Sequence, residues 1–388
     1  MLKPRIIAFY LPQYHPVPEN DEWWGKGFTE WTNVAKAKPL FRGHYQPHIP
    51  ADLGFYDLRL PVIREQQADM ARDAGIEGFC YWHYWFGNGK QLLEKPFQEI
   101  LNTGTPDFPF CLGWANETWS TKSWHNKSVL IKDKILIEQI YSEEDYVKHF
   151  NYILPAFKDD RYITIDGKPL FVIFKPLGIP DSNKFIECWK KLAQENGLKG
   201  IHFVGVVDNL SFRKINETKF KIERPNNITK PSNYYLPLLN KGFDAVNSRG
   251  YFRAELYLKG WFYRIIRIGL RRVFKISFLL PIDKYKQRDI NKYLYVDEDK
   301  WENIYPTIIP NWDRTPRSGR QATVYTESTP DVFKEQIIKC LDLIKNKKDE
   351  HKIIFLQSWN EWGEGNYVEP DLKYGNGFLK VLKDCIFK

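Results

Sequence analysis

The sequence predicts a (β/α)8 barrel (TIM barrel) of the α/β class, in which a closed ring of eight parallel strands is surrounded by helices. Two observations lead to this prediction. Short apolar runs alternate with segments whose apolar residues recur at helical spacing, which indicates βα units around a parallel sheet. Polar and aromatic residues cluster after the apolar runs, where barrel enzymes carry their functional side chains. The 388 residues fit one barrel with long rim loops, so we expect a single catalytic domain over 1–388.

Eight strands and five helices are predicted along the chain. A parallel strand that is buried on both faces is a short continuous apolar run. Pro61 suits the first turn of a helix, and Gly75 and Gly197 suit helix ends. The strands are expected at 5–10, 76–81, 108–114, 168–174, 202–207, 243–246 (the weakest), 304–309 and 353–356. The helices are expected at 61–74, 92–103, 143–157, 182–196 and 330–346.

Residues 209–300 are predicted to be an insertion. Residues 209–242 show no clear pattern, and residues 255–280 form a basic amphipathic helix. One face of this helix carries Arg264, Arg267, Arg271 and Lys275. We expect this face to make peripheral contact with an anionic membrane. The alternative is a helix that packs on the barrel and keeps its basic face in water.

Charge and cysteine usage limit the partners and the location. The net charge of +9 favours acidic partners, but no RNP, KH, helix-turn-helix or zinc-finger pattern is present, so nucleic acid is not expected. The N-terminus enters a strand without the apolar region of a signal peptide, and no run of eighteen apolar residues occurs. Cys80, Cys111, Cys188 and Cys340 lie in apolar runs as free thiols. We therefore expect a cytoplasmic protein, with peripheral contact at the inner membrane.

The last strand is followed by a short segment that contains two glutamates, Glu361 and Glu364, among tryptophans and glycines. Two glutamates three residues apart on a tight turn can share one face. Retaining glycoside hydrolysis uses two carboxyl groups about 5–5.5 Å apart, and sugar rings stack on aromatic side chains. A surface glutamate pair at a helix start is the alternative. We expect Glu361 and Glu364 to be catalytic.

Polar and aromatic side chains after the other strands are candidate substrate contacts. They are Tyr10, Gln13, His48, His83, Tyr84, Trp114, Asn116, Glu117, Trp119, Asn311, Trp312, Asp313 and Arg317, together with Trp359 and Asn360 beside the glutamates. Arg317 could form a salt bridge with Asp313 as readily as it could bind an acidic sugar. No Cys/His ligand spacing and no glycine-rich phosphate loop is present, so neither a metal nor a cofactor is expected.

Three segments resemble the WbsX-type family, which is often labelled as glycosyltransferases of bacterial surface-polysaccharide synthesis. They are SWNEWGEGNYVEPD at 358–371, PNWDRTPR at 310–317 and AFYLPQYHPVPENDEWWGKGFTEWTNV at 8–34. The family is similar to glycoside hydrolase family 99, the endo-α-mannosidase group. The resemblance covers nearly the whole chain, through YWHYWFGNGK and GWANETWS. It implies a (β/α)8 barrel and chemistry with retention.

The resemblance also implies roles for the glutamates. Glu361 would deprotonate the sugar 2-hydroxyl, so that the substrate's own oxygen attacks the anomeric carbon. Glu364 would protonate the leaving oxygen and then activate the acceptor. At Arg314 this chain departs from the family, in which a small polar residue is expected, and this difference bears on the sugar that is preferred.

The resemblance leaves hydrolase and transferase chemistry open. A nucleotide-sugar transferase would be expected to show a DxD metal motif or a glycine loop for the diphosphate. Without them, we expect glycosidase or transglycosidase chemistry on an O-antigen-like surface polysaccharide. The alternative is a glycosyltransferase of lipopolysaccharide or capsule biosynthesis that uses an activated sugar donor. A barrel that binds glycans without catalysis is a third interpretation.

Overall fold

The computed structural model describes residues 4–121, 134–207, 212–216, 219–222, 232–272 and 281–387. Eight parallel strands form a closed barrel, which confirms the predicted fold. The strands are β1 Arg5–Tyr10, β2 Gly78–Gly87, β3 Phe110–Trp114, β4 Lys168–Ile173, β5 His202–Val207, β6 Ala245–Ser248, β7 Ile304–Ile308 and β8 Ile353–Leu356. Each strand pairs with the next one along the chain, and β8 pairs with β1, which closes the ring.

The helices cover the outside of the ring and parts of its rim. They are α1 Pro18–Trp24, α2 Glu30–Lys36, α3 Pro61–Asp73, α4 Lys95–Thr103, α5 Glu143–Phe157, α6 Ser182–Glu195, α7 Ser232–Leu239, α8 Tyr251–Arg272, α9 Gln287–Tyr293, α10 Thr315–Ser318, α11 Pro330–Ile344 and α12 Gly377–Ile386. The five predicted helices correspond to α3, α4, α5, α6 and α11, with ends that differ by at most a few residues. Within the described ranges, every helix is too short or too polar to span a bilayer.

Short strands lie outside the ring. Lys90–Leu92 extends β2 in a hairpin, and Thr164–Ile165 pairs with β4. The other pairs are Trp119–Ser120 with Ile135–Ile137, Phe212–Asn216 with Lys219–Ile222, Asp283–Lys286 with Thr323–Thr326, and Asn360–Glu361 with Asn366–Tyr367. The division into one domain over 1–388 with an insertion at 209–300 stays a prediction.

Aromatic side chains fill the upper interior of the barrel. The ring of Phe9 on β1 stacks on Trp82 and on Phe355, with centroids 4.7 and 5.1 Å apart. Trp82 in turn meets the edge of Phe174, just after β4, at 5.4 Å. These contacts join β8, β1 and β2 with the end of β4, so the aromatic layer forms a floor for whatever lies above it.

Strand β2 is longer than the sequence predicted. It was expected over 76–81 but runs over Gly78–Gly87, because its second half pairs with the hairpin strand Lys90–Leu92. His83 and Tyr84 were therefore expected in a loop but lie within the strand. Since side chains alternate along a strand, the two point to opposite sides.

The predicted helix over 255–280 differs from α8. The described helix begins at Tyr251, and Gly260 interrupts it with φ 75° and ψ 162°. Arg264 bonds Glu255 at 3.1 Å, and Arg267 is buried and lies 3.7 Å from Asp283. Both interpretations of the sequence left Arg264 and Arg267 on an exposed basic face, and the structure pairs these two residues within the protein instead. Lys275 and the side chain of Arg271 lie outside the described residues.

Candidate active site

A cavity of about 570 Å³ opens at the carboxyl ends of the barrel strands. Its wall mixes charged and aromatic side chains. The charged residues are Glu117, Lys175, Arg249, Glu255, Arg264, Arg314, Arg317, Glu361 and Glu364. The aromatic residues are Trp82, Tyr84, Trp119, Phe174, Tyr251, Phe252 and Trp312.

The turn after β8 places both glutamates on the cavity. The backbone N–H of Trp359 donates to the carbonyl of Phe9 at 2.8 Å, which keeps the chain beside β1. Asn360–Glu361 then forms a short strand pair, and a single 3-10 turn covers Trp362–Glu364. The turn ends at Gly365, whose φ of 59° is unstrained only for glycine. Because the turn is this tight, Glu361 and Glu364 face the same space.

One arginine bonds both glutamates. The Nη1 atom of Arg317 lies 3.1 Å from Glu361 Oε1 and 2.8 Å from Glu364 Oε1. The two carboxyl groups therefore share one nitrogen, which holds them side by side on the cavity wall. Arg314 makes a further bond to Glu364 Oε1 at 2.8 Å. The salt bridge between Arg317 and Asp313 that the sequence left open is not among the described ion pairs.

A third carboxylate holds Arg317 from behind. The Nε and Nη2 atoms of Arg317 donate to Glu30 at 2.9 and 3.1 Å, and Glu30 is completely buried. Glu30 is the first residue of α2, where a carboxylate also meets the positive end of the helix. Gly363 makes room for it, since a Cβ at Gly363 would lie 1.6 Å from Glu30 Oε1. The glycine between the two glutamates is thus a packing requirement.

The two glutamates differ in electrostatic environment. Burial, together with the neighbouring charge of Glu364, raises the pKa of Glu361 to about 7. Burial acts in the same direction on Glu364, but the positive charges of Arg314 and Arg317 outweigh it and lower the pKa of Glu364 below its usual range. One carboxyl of the pair therefore favours holding a proton, and the other favours the ionised form.

Seven of the predicted site residues line the cavity, and ten lie behind its wall. The seven are Tyr84, Glu117, Trp119, Trp312, Arg317, Glu361 and Glu364. The ten are Tyr10, Gln13, His48, His83, Trp114, Asn116, Asn311, Asp313, Trp359 and Asn360. These ten do not line this cavity, and their contact with substrate stays a prediction.

The buried polar residues among the ten bind the backbone of rim loops. Asn360 accepts from the N–H of Leu11 at 2.7 Å and donates to its carbonyl at 3.1 Å. Asn116 does the same for Lys175, at 2.8 and 2.9 Å. Asn311 accepts from the N–H of Tyr367 at 3.0 Å. Their amide groups thus replace strand pairing where the loops leave the barrel.

Other members of the ten bond side chains of the rim or core. The Asp313 carboxylate accepts from Gln46 at 2.8 Å and lies 2.7 Å from His44 Nε2. Its backbone N–H donates to the backbone carbonyl of Glu364 at 2.8 Å. His48 Nδ1 lies 2.5 Å from the hydroxyl of Tyr367.

The remaining five belong to the core. Tyr10 donates to Gln67 at 2.6 Å, and His83 lies 2.9 Å from His149. Trp114 and Trp359 are fully buried, as is Gln13.

Arg249, Tyr251 and Glu255 are among the cavity residues that the sequence did not predict as site residues. Arg249 follows β6 directly, and its guanidinium lies over the rings of Phe9 and Phe174, 4.9 and 5.4 Å from their centroids. Glu255 accepts from the Tyr325 hydroxyl at 2.8 Å. They were missed because β6 is weakly patterned and its surroundings were assigned to an insertion. The rule that site residues follow strand ends would have pointed to Arg249.

Another buried carboxyl group, that of Glu369, lies beneath the turn that carries Glu361 and Glu364. Glu369 accepts from Trp362 Nε1 at 2.6 Å, from Gln67 at 2.6 Å and from the Tyr56 hydroxyl at 2.9 Å. Burial raises the pKa of Glu369 to about 7 in spite of these donors. Its place under Trp362 means that it supports the turn. Among the described residues, no group of three His, Cys, Asp or Glu side chains is placed to hold a metal ion.

Comparison with known proteins gives a family and a fold. The model of the family described as "Glycosyltransferase WbsX" matches residues 6–382. The uncharacterized protein WxcX of Xanthomonas campestris pv. campestris strain B100 is 31% identical over 384 residues, and that of strain ATCC 33913 is 30% identical over 388 residues. The match covers 98% of this chain and 49% of each relative, so the chain spans about half the length of these relatives.

Two solved structures share the fold at low sequence identity. The GH99 endo-α-mannosidase from Bacteroides thetaiotaomicron in complex with bis-tris-propane gives a TM-score of 0.53 at 15% identity, covering 100% of this chain and 97% of that chain. A glycoside hydrolase-like protein gives a TM-score of 0.57 at 13% identity, covering 100% and 94%. The predicted resemblance to the WbsX and GH99 groups is confirmed.

The packing of Gly363 against Glu30 can be tested by Gly363→Ala. The added Cβ must displace the Glu30 carboxylate, and breaking a buried ion pair costs roughly 3–5 kcal/mol. We expect the free energy of unfolding in urea to fall by an amount of that order. Gly269→Ala is the matched control, because a Cβ at Gly269 meets nothing within 4 Å. If both variants unfold at the same urea concentration, the packing argument fails.

The raised pKa of Glu369 predicts a pH dependence of stability. The carboxyl is protonated in the folded protein up to about pH 7 but ionises near its ordinary value in the unfolded chain. Its contribution is therefore complete below the unfolded pKa, and it is lost as the pH rises towards 7, by at most about 1.4 kcal/mol per pH unit. Glu369→Gln cannot ionise, so its stability relative to the wild type should rise between pH 5 and pH 8. Urea unfolding of both proteins at pH 5 and pH 8 measures this. If the variant and the wild type differ in free energy of unfolding by the same amount at both pH values, the prediction is wrong.

Proposed function

Because the chain belongs to the glycosyltransferase WbsX family, we propose that it is a carbohydrate-active enzyme with retaining acid–base chemistry. The bond acted on is a glycosidic bond of a bacterial surface polysaccharide resembling O-antigen. One observation carries the proposal: Glu361 and Glu364 bond the same nitrogen of Arg317 on the wall of an aromatic-lined cavity. A pair of close carboxyls with different pKa values is the arrangement that proton transfer to and from a sugar requires.

In the reaction that we propose, Glu361 removes the proton of the sugar 2-hydroxyl. The freed oxygen attacks the anomeric carbon, the bond to the leaving oxygen breaks, and that oxygen takes the proton of Glu364. In the second step, water or an acceptor hydroxyl gives its proton to Glu364 and attacks the anomeric carbon. The bond to the 2-oxygen breaks, and this oxygen takes back the proton from Glu361. Water gives hydrolysis, and a sugar hydroxyl gives transfer, both with retention.

The pKa shifts favour the proton on Glu361, whereas the proposed first step needs it on Glu364. Arg314 and Arg317 favour ionised Glu364, whereas Glu361 titrates near neutrality. The proposed roles therefore require the pair's proton to move to Glu364 when substrate binds. Arg314 is the part of the site that can change for this, since its side chain is 39% exposed and Arg317 is held on three sides.

Substitution of either glutamate tests the function. Glu361→Gln and Glu364→Gln should each lower turnover of mannan, rhamnan or O-antigen fragments by about 10²–10⁴-fold, the usual share of general acid–base catalysis. Products are followed by mass spectrometry. Glu335→Gln serves as the control, since Glu335 lies on α11 in a surface pair with Arg288. Wild-type turnover in either site variant, with an unchanged thermal transition, would remove the assignment.

The family description favours a second function, transfer of a sugar from an activated donor in lipopolysaccharide or capsule biosynthesis. Here the donor's leaving group would occupy the cationic side of the cavity, where Arg249, Arg314 and Lys175 lie. A ligand that binds only the folded state raises its thermal stability. Stabilisation by a sugar nucleotide, and by no oligosaccharide fragment, would favour this function over the first.

We also propose that α8 makes the predicted peripheral contact with an anionic membrane, in a cytoplasmic setting. Its support is an apolar surface formed by Phe262, Ile265 and Ile266, which are 76%, 39% and 44% exposed. With Arg264 and Arg267 paired internally, the contact depends on these apolar side chains and on the net charge of +9.

Vesicle binding tests this contact. The wild type should sediment with anionic phospholipid vesicles more than with neutral ones, and less as salt is added. Phe262→Ala should weaken the binding, because Phe262 has the largest exposed fraction among the large apolar side chains described on α8. Val62→Ala on α3, an exposed apolar residue of a barrel helix, is the control. Equal sedimentation with both kinds of vesicle would exclude the contact.

A further inference from the structure

In the hydrogen-bonded cluster around Arg317, carboxyl groups outnumber guanidinium groups. Arg314 and Arg317 supply two positive charges. Three carboxyl groups bond to these two guanidiniums: Glu30, Glu361 and Glu364. An unmatched charge in a buried cluster is costly, so the cluster favours one neutral carboxyl.

The hydrogen bonds identify the neutral group. Glu30 accepts two bonds from Arg317, at 2.9 and 3.1 Å, and is fully buried. Glu364 accepts one bond from each arginine, both at 2.8 Å. Glu361 has one bond from Arg317, at 3.1 Å, and one from the Ser358 hydroxyl, at 3.3 Å. The least strongly bonded carboxyl is Glu361, which agrees with its pKa of about 7.

We propose that Glu30, which does not line the cavity, is a positioning residue of the glutamate pair. By occupying the Nε–Nη2 edge of Arg317, it uses up one positive charge and leaves one proton on the Glu361–Glu364 pair. This inference rests on the proposed acid–base function. Such chemistry needs one member of a pair to donate a proton while the other accepts one, and a pair that was fully ionised could not begin.

The remaining charged and titratable groups around the pair come from other elements. The hydroxyl of Tyr84 on β2 faces Glu361. Arg249, after β6, faces Glu364. These groups are the same in the wild type and in a variant at position 30. Glu30→Gln therefore changes one charge and keeps the size and shape of the side chain.

The titration of Glu361 in the full chain tests the proposal. Protein labelled with carboxyl-13C glutamate is titrated by NMR between pH 4 and pH 9, and the resonance missing in Glu361→Gln assigns the group. In the wild type the midpoint should lie near the pKa of about 7. In Glu30→Gln it should fall by one pH unit or more, because Arg317 then has an uncompensated charge beside Glu361. An unchanged midpoint would overturn the proposal.

Three further variants separate charge from structure. Glu30→Asp keeps the charge, so it should keep the midpoint near that of the wild type. Glu77→Gln removes the partner of Arg5, bonded at 2.7 Å, and should lower stability without moving the midpoint. If Glu30→Gln does not fold, Arg317→Lys is the second test. A lysine cannot bond all three carboxyls, so the midpoint of Glu361 should rise, and no change would overturn the proposal.

The outcomes also separate this inference from the proposed function. If Glu361→Gln and Glu364→Gln lose turnover while the Glu361 midpoint is unmoved in Glu30→Gln, only the role of Glu30 fails. If the midpoint moves but both glutamine variants retain wild-type turnover, the proposed function fails, and the role of Glu30 in catalysis fails with it.

Discussion

The barrel mouth depends on one buried guanidinium, that of Arg317. Its planar fork bonds carboxylates from α2 and from the turn after β8, and Arg317 itself lies in the short helix after β7. Burying a charge without partners costs several kcal/mol, so Arg317 and its acidic partners are stable only together. Three segments far apart in sequence are thus fixed relative to one another. A lysine could not do this, because it offers a single point charge and no fork.

A layer of uncharged polar side chains supports this cluster from below. The Asn360 side chain forms hydrogen bonds with the backbone N–H and carbonyl of Leu11, and the Asn116 side chain does the same with those of Lys175. Glu369 receives three donors under the ring of Trp362. These contacts satisfy backbone and side-chain groups that leave the regular barrel, where an unsatisfied buried group would cost about 1–3 kcal/mol. These contacts fix the position of the rim segments from which the glutamate turn extends.

The cavity itself is polar above and aromatic below. Trp82 and Phe174, part of the interior aromatic layer, form its floor, and Arg249 lies flat over that floor. Charged residues of both signs surround the space, and several are already paired, as Glu255 is with Arg264. A sugar can use such a wall in two ways, through ring faces on aromatics and through hydroxyls on fixed charges. The same wall also offers several cations to an acidic group, such as the leaving group of an activated sugar donor.

The sequence by itself determined the barrel, the order of its strands and the position of the glutamate pair. Continuous apolar runs and the residues that follow them are local signals. They predict strands well because a strand that is buried on both faces consists almost entirely of apolar residues. Tertiary structure alone decided which rim residues reach the cavity. Asn360 and Trp359 adjoin Glu361 yet lie behind the wall, while Arg249 and Glu255 enter it from a weakly patterned region. The sequence also showed no sign that Glu30 bonds Arg317, because the two residues are 287 positions apart. Side-chain direction and ion pairing depend on contacts between distant segments, and no local pattern encodes them.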